Sequence, residues 1–241
     1  MNKMSNKVLW QYDETFQAGA DYADVQRAMA YDEHMQKIRD YKKRAEEIKE
    51  MLLLNSNDIL IDFGCGTGSI TMELAKNCRK VFCIDTSPVM LEIASNKACS
   101  EEVSNITFFN YGFLTYNHKG ELADKIMTGG AFHHLPDFWK VIALQRIHGM
   151  LKEDGLFLLS DVVFSFDPKD YITEINSFHE FLKVKSGEEL YNDGLLHLKE
   201  EFSTFDWLMD EMLRRTGFDI DSKVVRTKTN IDYVCKKIKN R

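Results

Sequence analysis

The sequence predicts an α/β fold: a Rossmann-like, mostly parallel seven-stranded sheet (last strand antiparallel) with helices on both faces. A helical segment precedes the first strand and a helical insertion follows the fifth. Three observations carry this prediction. From residue 59 onward, short and almost wholly apolar runs alternate with segments of helical period, as expected for parallel strands buried on both faces. The first run ends in the glycine-rich turn Gly64-Cys65-Gly66-Thr67-Gly68. The second ends in a carboxylate, Asp85.

The elements follow in order. Residues 1–54 read as an N-terminal helical lid and first helix, polar but dotted with Trp10, Tyr12, Phe16, Tyr22, Tyr31 and Tyr41. Within them Ile38, Tyr41, Ala45, Ile48 and Leu52 recur at three and four residues, which predicts one helix over 35–54. Residues 55–163 form the core. Its strands are 59–63, 81–84, 106–110, 125–128 and 156–163. Ser87 is expected to cap a helix that opens at Pro88. Asp137 is expected to cap another, and Glu153-Asp154-Gly155 to turn the chain into the fifth strand. Residues 164–202 carry no strand signal and read as a cap of two helices broken near Ser186-Gly187. Residues 203–241 complete the sheet: Ser203 caps a helix ended by Gly217, and two strands form a hairpin about 227–230.

Composition narrows the function. A hydrophobic share of 44% is enough for a real core, and only three prolines argue against long linkers. The net charge of −7 points away from nucleic acid, whose binders present a basic face. The densest basic run, Lys42-Lys43-Arg44, is followed by Glu46-Glu47 and reads as a solvated helix face. Five cysteines without a CxxC pair are expected to be reduced thiols, and no metal site is expected. The start lacks the apolar stretch of a signal peptide and no run of eighteen apolar residues occurs. A cytoplasmic protein without a membrane span, monomer or homodimer, is therefore expected.

Spacing separates two kinds of glycine turn. A dinucleotide fingerprint, G-x-G-x-x-G, would place its third glycine at position 69, where Ser69 stands. The observed pattern is G-x-G-x-G, with an acid, Asp62, two residues ahead. Asp85 lies seventeen residues beyond Gly68, where a strand-end carboxylate accepts from ribose hydroxyls.

In these motifs the sequence resembles the class I S-adenosylmethionine (SAM)-dependent methyltransferases. The resemblance rests on residues 59–68, on Val81-Phe82-Cys83-Ile84-Asp85-Thr86-Ser87-Pro88, on Ala131-Phe132-His133-His134-Leu135-Pro136-Asp137, and on Leu151-Lys152-Glu153-Asp154-Gly155-Leu156. It covers roughly residues 59–163, and within the family it looks most like small-molecule enzymes related to the quinone C-methyltransferases. The resemblance implies SAM as cofactor and S-adenosylhomocysteine as product. It also implies that Gly64, Cys65 and Gly66 line the methionine end, that Asp62 helps hold the ammonium, that Asp85 binds the ribose and that Met90 packs on the adenine. Thr86, Gly112, Phe113 and Gly129 complete the expected set. Many relatives carry an acid after the third strand for the adenine amino group; Gly112 stands there instead, leaving that contact to backbone near Gly112 and Phe113 or to another side chain.

Methyl transfer from a sulfonium requires alignment and exclusion of water, and a base only when the acceptor arrives protonated. The crevice at the ends of strands four and five supplies the catalytic candidates His133, His134 and Asp161. Each has an alternative: a histidine packed under the loop or bonded to a carbonyl, and an aspartate that caps the loop. Tyr31 and Arg39 are candidates for contacting SAM or substrate from the lid, the guanidinium suiting the SAM carboxylate. The expected acceptor is a small molecule, uncharged or cationic, because residues 161–205 hold ten acids against four lysines. An NAD-dependent oxidoreductase and a non-catalytic SAM-binding regulatory protein are the rival readings.

Overall fold

The polypeptide leaves its N-terminal segment through two short helices before it reaches the sheet. The computed structural model describes residues 9–16, 19, 22 and 24–238; the remainder of the expected lid lies outside them. Helix α1 spans Val25–Gln36 and α2 Tyr41–Met51. Asp24 caps α1 through Arg27 N, and Asp40 caps α2 through Lys43 N. The single helix expected over 35–54 is thus divided, because the Asp40 carboxylate satisfies free amides of a new first turn.

The strands are β1 (Ile59–Phe63), β2 (Lys80–Asp85), β3 (Ile106–Asn110), β4 (Ala123–Gly129), β5 (Leu151–Phe164), β6 (Thr204–Phe205), β7 (Phe218–Thr227) and β8 (Asn230–Lys237). They run in the order β3-β2-β1-β4-β5-β8-β7, with the two-residue β6 beside β5 off this path. Neighbours from β3 to β5 are parallel, while β8 is antiparallel to both β5 and β7. Between the strands lie α3 (Ser69–Ala75), α4 (Pro88–Ser100), α5 (Asp137–Met150), α6 (Tyr171–Ser186), α7 (Glu188–Glu200) and α8 (Asp206–Arg215).

Strand side chains alternate between two apolar layers. Ile59, Ile61 and Phe63 of β1 join one core with Ala143, Leu144 and Ile147 of α5 and Met209 and Leu213 of α8. Leu60, Val81, Cys83 and Met127 join a second with Ala45 and Ile48 of α2 and Leu74 of α3. Both faces are therefore covered, which is why these strands read as uninterrupted apolar runs.

Local chemistry explains the boundaries. Ser87 caps α4 by accepting from Met90 N, with Pro88 at its first position. Asp137 does not cap α5; Pro136 flanks it, and Asp137 sits in the first turn with its carboxylate 2.8 Å from Lys140 Nζ, on the side the helix dipole favours. The turn expected at 153–155 is a bulge inside a longer β5: pairing jumps from Ala123↔Leu151 to Lys125↔Leu156, and Asp154 takes φ 61°. Gly187, at φ 83°, separates α6 from α7 as expected. Ser203 caps no helix, because Thr204-Phe205 pair with Val163-Phe164 before α8 begins.

Arg44 departs from the solvated face predicted for its run. Its guanidinium holds both oxygens of Asp232, fully buried on β8, at 2.9 and 2.8 Å, and Ser160 Oγ at 3.0 Å. Arg226 Nε reaches the same carboxylate at 2.7 Å, so two cations neutralise one buried charge and lock α2 onto the sheet.

Candidate active site

The strand order reverses between β1 and β4, and a cleft opens there at the carboxyl ends of the strands. In register, Phe63 faces Ile84 and Thr128, so the residues after β1 lie level with Asp85 and Gly129. Gly64, Gly66 and Gly68 take φ of 69°, 54° and 72°, a left-handed course open to glycine at little cost. Gly64 N donates to Ile84 O at 2.8 Å and Gly68 N to Cys65 O at 3.0 Å. The Asp85 carboxylate accepts from Gly66 N and Ser87 N, both at 2.8 Å. Burial raises its pKa, opposed by these backbone amides.

Two adjoining cavities share Tyr31, Gly64, Gly66 and Gly129. The first also holds Asp85, Thr86, Met90, Gly112 and Phe113, and is closed by Tyr12, Glu14, Phe16 and Tyr22 of the N-terminal segment. Among the described residues lining it stand two carboxylates, Glu14 and Asp85, and no lysine or arginine. The second holds Asp62, Cys65, Arg39, Thr128 and Ser160. Asp62 is 2% exposed; burial pushes it up to about 7, with Thr71 Oγ1 as its hydrogen-bond donor and the Asp85 charge adding to the rise. The Thr128 hydroxyl is buried with no hydrogen-bond partner among the described residues. Arg39 has no carboxylate partner among them, in contrast to Arg44. Cys65, half-buried, donates to Gly66 O at 3.8 Å; the neighbouring Cys83 thiol and desolvation hold it well above the usual thiol range, so it lines the site as a neutral thiol.

The three catalytic candidates divide. Asp161, 1% exposed, accepts from the backbone amides of Phe132 (2.7 Å), His133 (3.1 Å) and Val162 (2.6 Å) and from His133 Nδ1. It is a clamp under the loop after β4, and neither it nor His133 lines the cleft. His133 Nε2 points instead to Glu201 at 3.2 Å. Burial alone would push His133 down, but Asp161 and Glu201 outweigh it and hold it up at about 10. His134 does line the cleft, and burial, aided by the His133 charge, pushes it down to about 4. Its carbonyl accepts from Tyr12 Oη at 3.2 Å.

Two features escaped the sequence reading. Glu14 accepts from Leu114 N at 2.9 Å and Thr115 Oγ1 at 3.1 Å, and any side chain at Gly112 would overlap its carboxylate. The position emptied of its acid after β3 is thus faced by an acid from the N-terminal segment; one hundred residues of separation leave no local signal for it. His197 and Glu201, one turn apart at the end of α7, meet His133 and His134, although no metal-type cluster was expected.

The fold has solved counterparts. An S-adenosylmethionine-dependent methyltransferase from Clostridium acetobutylicum superposes with a TM-score of 0.65 over 88% of this chain and 98% of its own, at 16% identity. A family model described as a methyltransferase domain matches residues 60–155. An uncharacterized methyltransferase of Oceanobacillus iheyensis is 31% identical over 152 residues, 61% of this chain and 69% of that protein. The chain belongs to the class I SAM-dependent methyltransferase family. A second uncharacterized methyltransferase, from Anoxybacillus flavithermus, is 28% identical over 209 residues, 84% of this chain and 92% of its own.

This membership decides for the transferase over the oxidoreductase and the non-catalytic reading. The residues of the methyltransferase fit the family's methyl donor. The Cβ positions of Gly66 and Gly129 face open space within 4 Å, an orphaned hydroxyl lines the second cavity, and Arg39, without a carboxylate partner among the described residues, lines the same cavity as Asp62.

Proposed function

We propose that this methyltransferase moves the methyl group of SAM to a small, uncharged or cationic acceptor by in-line displacement, on the side of the family related to the quinone C-methyltransferases. One observation carries the reading. The larger cavity is walled by Tyr12, Phe16, Tyr22, Tyr31, Tyr111 and Leu135 and contains carboxylates but no cationic side chain among its described residues. Such a wall suits a flat apolar acceptor and opposes a phosphate backbone.

In this reading Asp85 accepts from the ribose hydroxyls while Gly66 and Ser87 keep its carboxylate in place. Met90 would pack on the adenine, with the backbone near Phe113 beside it. Asp62 and Thr128 receive the ammonium, and Arg39 pairs with the carboxylate. Gly64, Cys65, Gly129 and Tyr31 line the junction of the cavities, and Thr86 and Gly112 flank the nucleoside. The donor supplies an electrophilic methyl on a sulfonium. The chain's own work is to hold the acceptor in line and keep water out, and alignment alone is worth as much as about 7–11 kcal/mol of barrier. His134 is the imidazole of the cleft wall and contacts the acceptor. His133 and Asp161 act through it by fixing the loop.

The test is transfer of labelled methyl from SAM to total RNA and to a small-metabolite extract, run side by side. Transfer to the extract is expected. Robust transfer to RNA with none to the extract would overturn the acceptor class.

A further inference from the structure

We propose that His133, His134 and Glu201 form a binding site for a divalent transition-metal ion beside the methyltransferase cleft. One ring nitrogen of each histidine and a carboxylate oxygen of Glu201 lie within 4.8 Å of one another. Donors around a tetrahedral ion at about 2.1 Å stand about 3.4 Å apart, so side-chain rotations must draw this set together by as much as about 1.4 Å to share one centre. Two histidines and one carboxylate are a donor set that zinc, cobalt and iron accept, with coordination positions to spare.

The surroundings are built to aim the ligands. His133 Nδ1 is held by Asp161, which leaves Nε2 directed at Glu201, 3.2 Å away. A carboxylate on the far nitrogen is the usual support of a metal-binding imidazole, because it fixes the tautomer and raises ligand basicity. His197 Nδ1 rests on the same Glu201 oxygen, and its Nε2 is paired with Ser203 Oγ at 2.6 Å. A fourth donor, the third imidazole, with its own outer partner, therefore adjoins the triad. The two chain segments are also joined directly, Phe202 N donating to His133 O at 2.9 Å. The side chains are nearly closed off from solvent, 9% exposed for His133, 12% for His197 and 5% for Glu201.

The Glu201 carboxylate already gathers His133 Nε2 and His197 Nδ1, so a divalent ion would take the place of the protons shared there, and its binding would release them. Because His134 also lines the cleft, an ion held here borders the space where the acceptor is expected. The metal proposal itself does not depend on that acceptor.

Tag-free protein stripped with a chelator should bind one equivalent of Zn²⁺ by calorimetry, and Co²⁺ should give visible d–d absorption. Glu201→Gln should weaken Zn²⁺ binding by about a hundredfold or more and abolish the Co²⁺ bands, while S-adenosylhomocysteine binding, measured in parallel, persists. His134→Asn provides the same Zn²⁺ and Co²⁺ readouts should Glu201→Gln not fold. Substoichiometric Zn²⁺ uptake by the wild type, or stoichiometric uptake unaffected by both substitutions, would overturn the proposal. Failure of the methyltransferase reading is separate: it would show as lost S-adenosylhomocysteine binding whatever the metal content.

Discussion

Glu14 and Gly112 face each other in the cleft: the Glu14 carboxylate lies against Gly112 and is anchored by Leu114 N and Thr115 Oγ1. In the proposed binding mode this carboxylate would accept from the adenine amino group. Glu14→Gln is expected to weaken S-adenosylhomocysteine binding about tenfold, the value of one charge-assisted hydrogen bond; unchanged affinity would leave Glu14 as a loop anchor only. Asp62 supplies a pH test. Its raised pKa, about 7 and due mainly to burial, means the folded protein holds a proton that the unfolded chain releases above its ordinary value near 3.8. The associated stability is present below about pH 4 and is lost as pH rises through about 7. Thermal melts of ligand-free Asp62→Asn should therefore fall less steeply than wild type over that window, and parallel slopes would contradict the assignment. Gly64, Gly66, Asp85 and Gly129, which the structure brings to the cleft, were legible because they follow strand ends at short, fixed spacing. Glu14, His197 and Glu201 were not, since only tertiary folding brings them to the site.

At the scale of elements, the strands and most helix starts were readable from apolar runs, from Ser87-Pro88 and from Gly187. The errors share a place, the starts of helices, where a polar cap was overlooked or was credited to a residue whose neighbour took the role. Asp40 divides the expected helix, Pro136 displaces Asp137, and edge pairing of Thr204-Phe205 displaces Ser203. Helix α1 also carries more than its polar sequence advertises. Asp32 accepts from Thr67 Oγ1 at 2.6 Å, Ser69 Oγ at 3.0 Å and Lys97 Nζ, bolting α1 to the glycine turn. Arg27–Asp193 and His34–Glu189 tie it to α7. The segment ahead of Asp32 supplies the outer wall, with Tyr12, Glu14, Phe16 and Tyr22. We expect it to act as the lid, so limited proteolysis before residue 32 should slow when S-adenosylhomocysteine is added. Equal cutting rates would argue against closure by this segment.

For the whole molecule, the class of fold was legible because both faces of the sheet are covered, which leaves strands apolar throughout and spaced by helices. The strand-order reversal that positions the cleft was not, because pairing order leaves no trace in a single sequence; it had to be supplied by the resemblance. No helix among the described residues is long and apolar enough to cross a membrane. The acidic balance of residues 161–205 and the carboxylates in the cleft act in the same direction, away from polyanions. All of this presumes that the cleft binds the SAM nucleoside through Asp85. Calorimetry with S-adenosylhomocysteine on wild type and Asp85→Ala tests that most directly. Removing a pair of charge-assisted hydrogen bonds, each worth about 1.5–3 kcal/mol, should lower affinity at least tenfold in a folded variant; equal affinity in the two proteins would contradict the account.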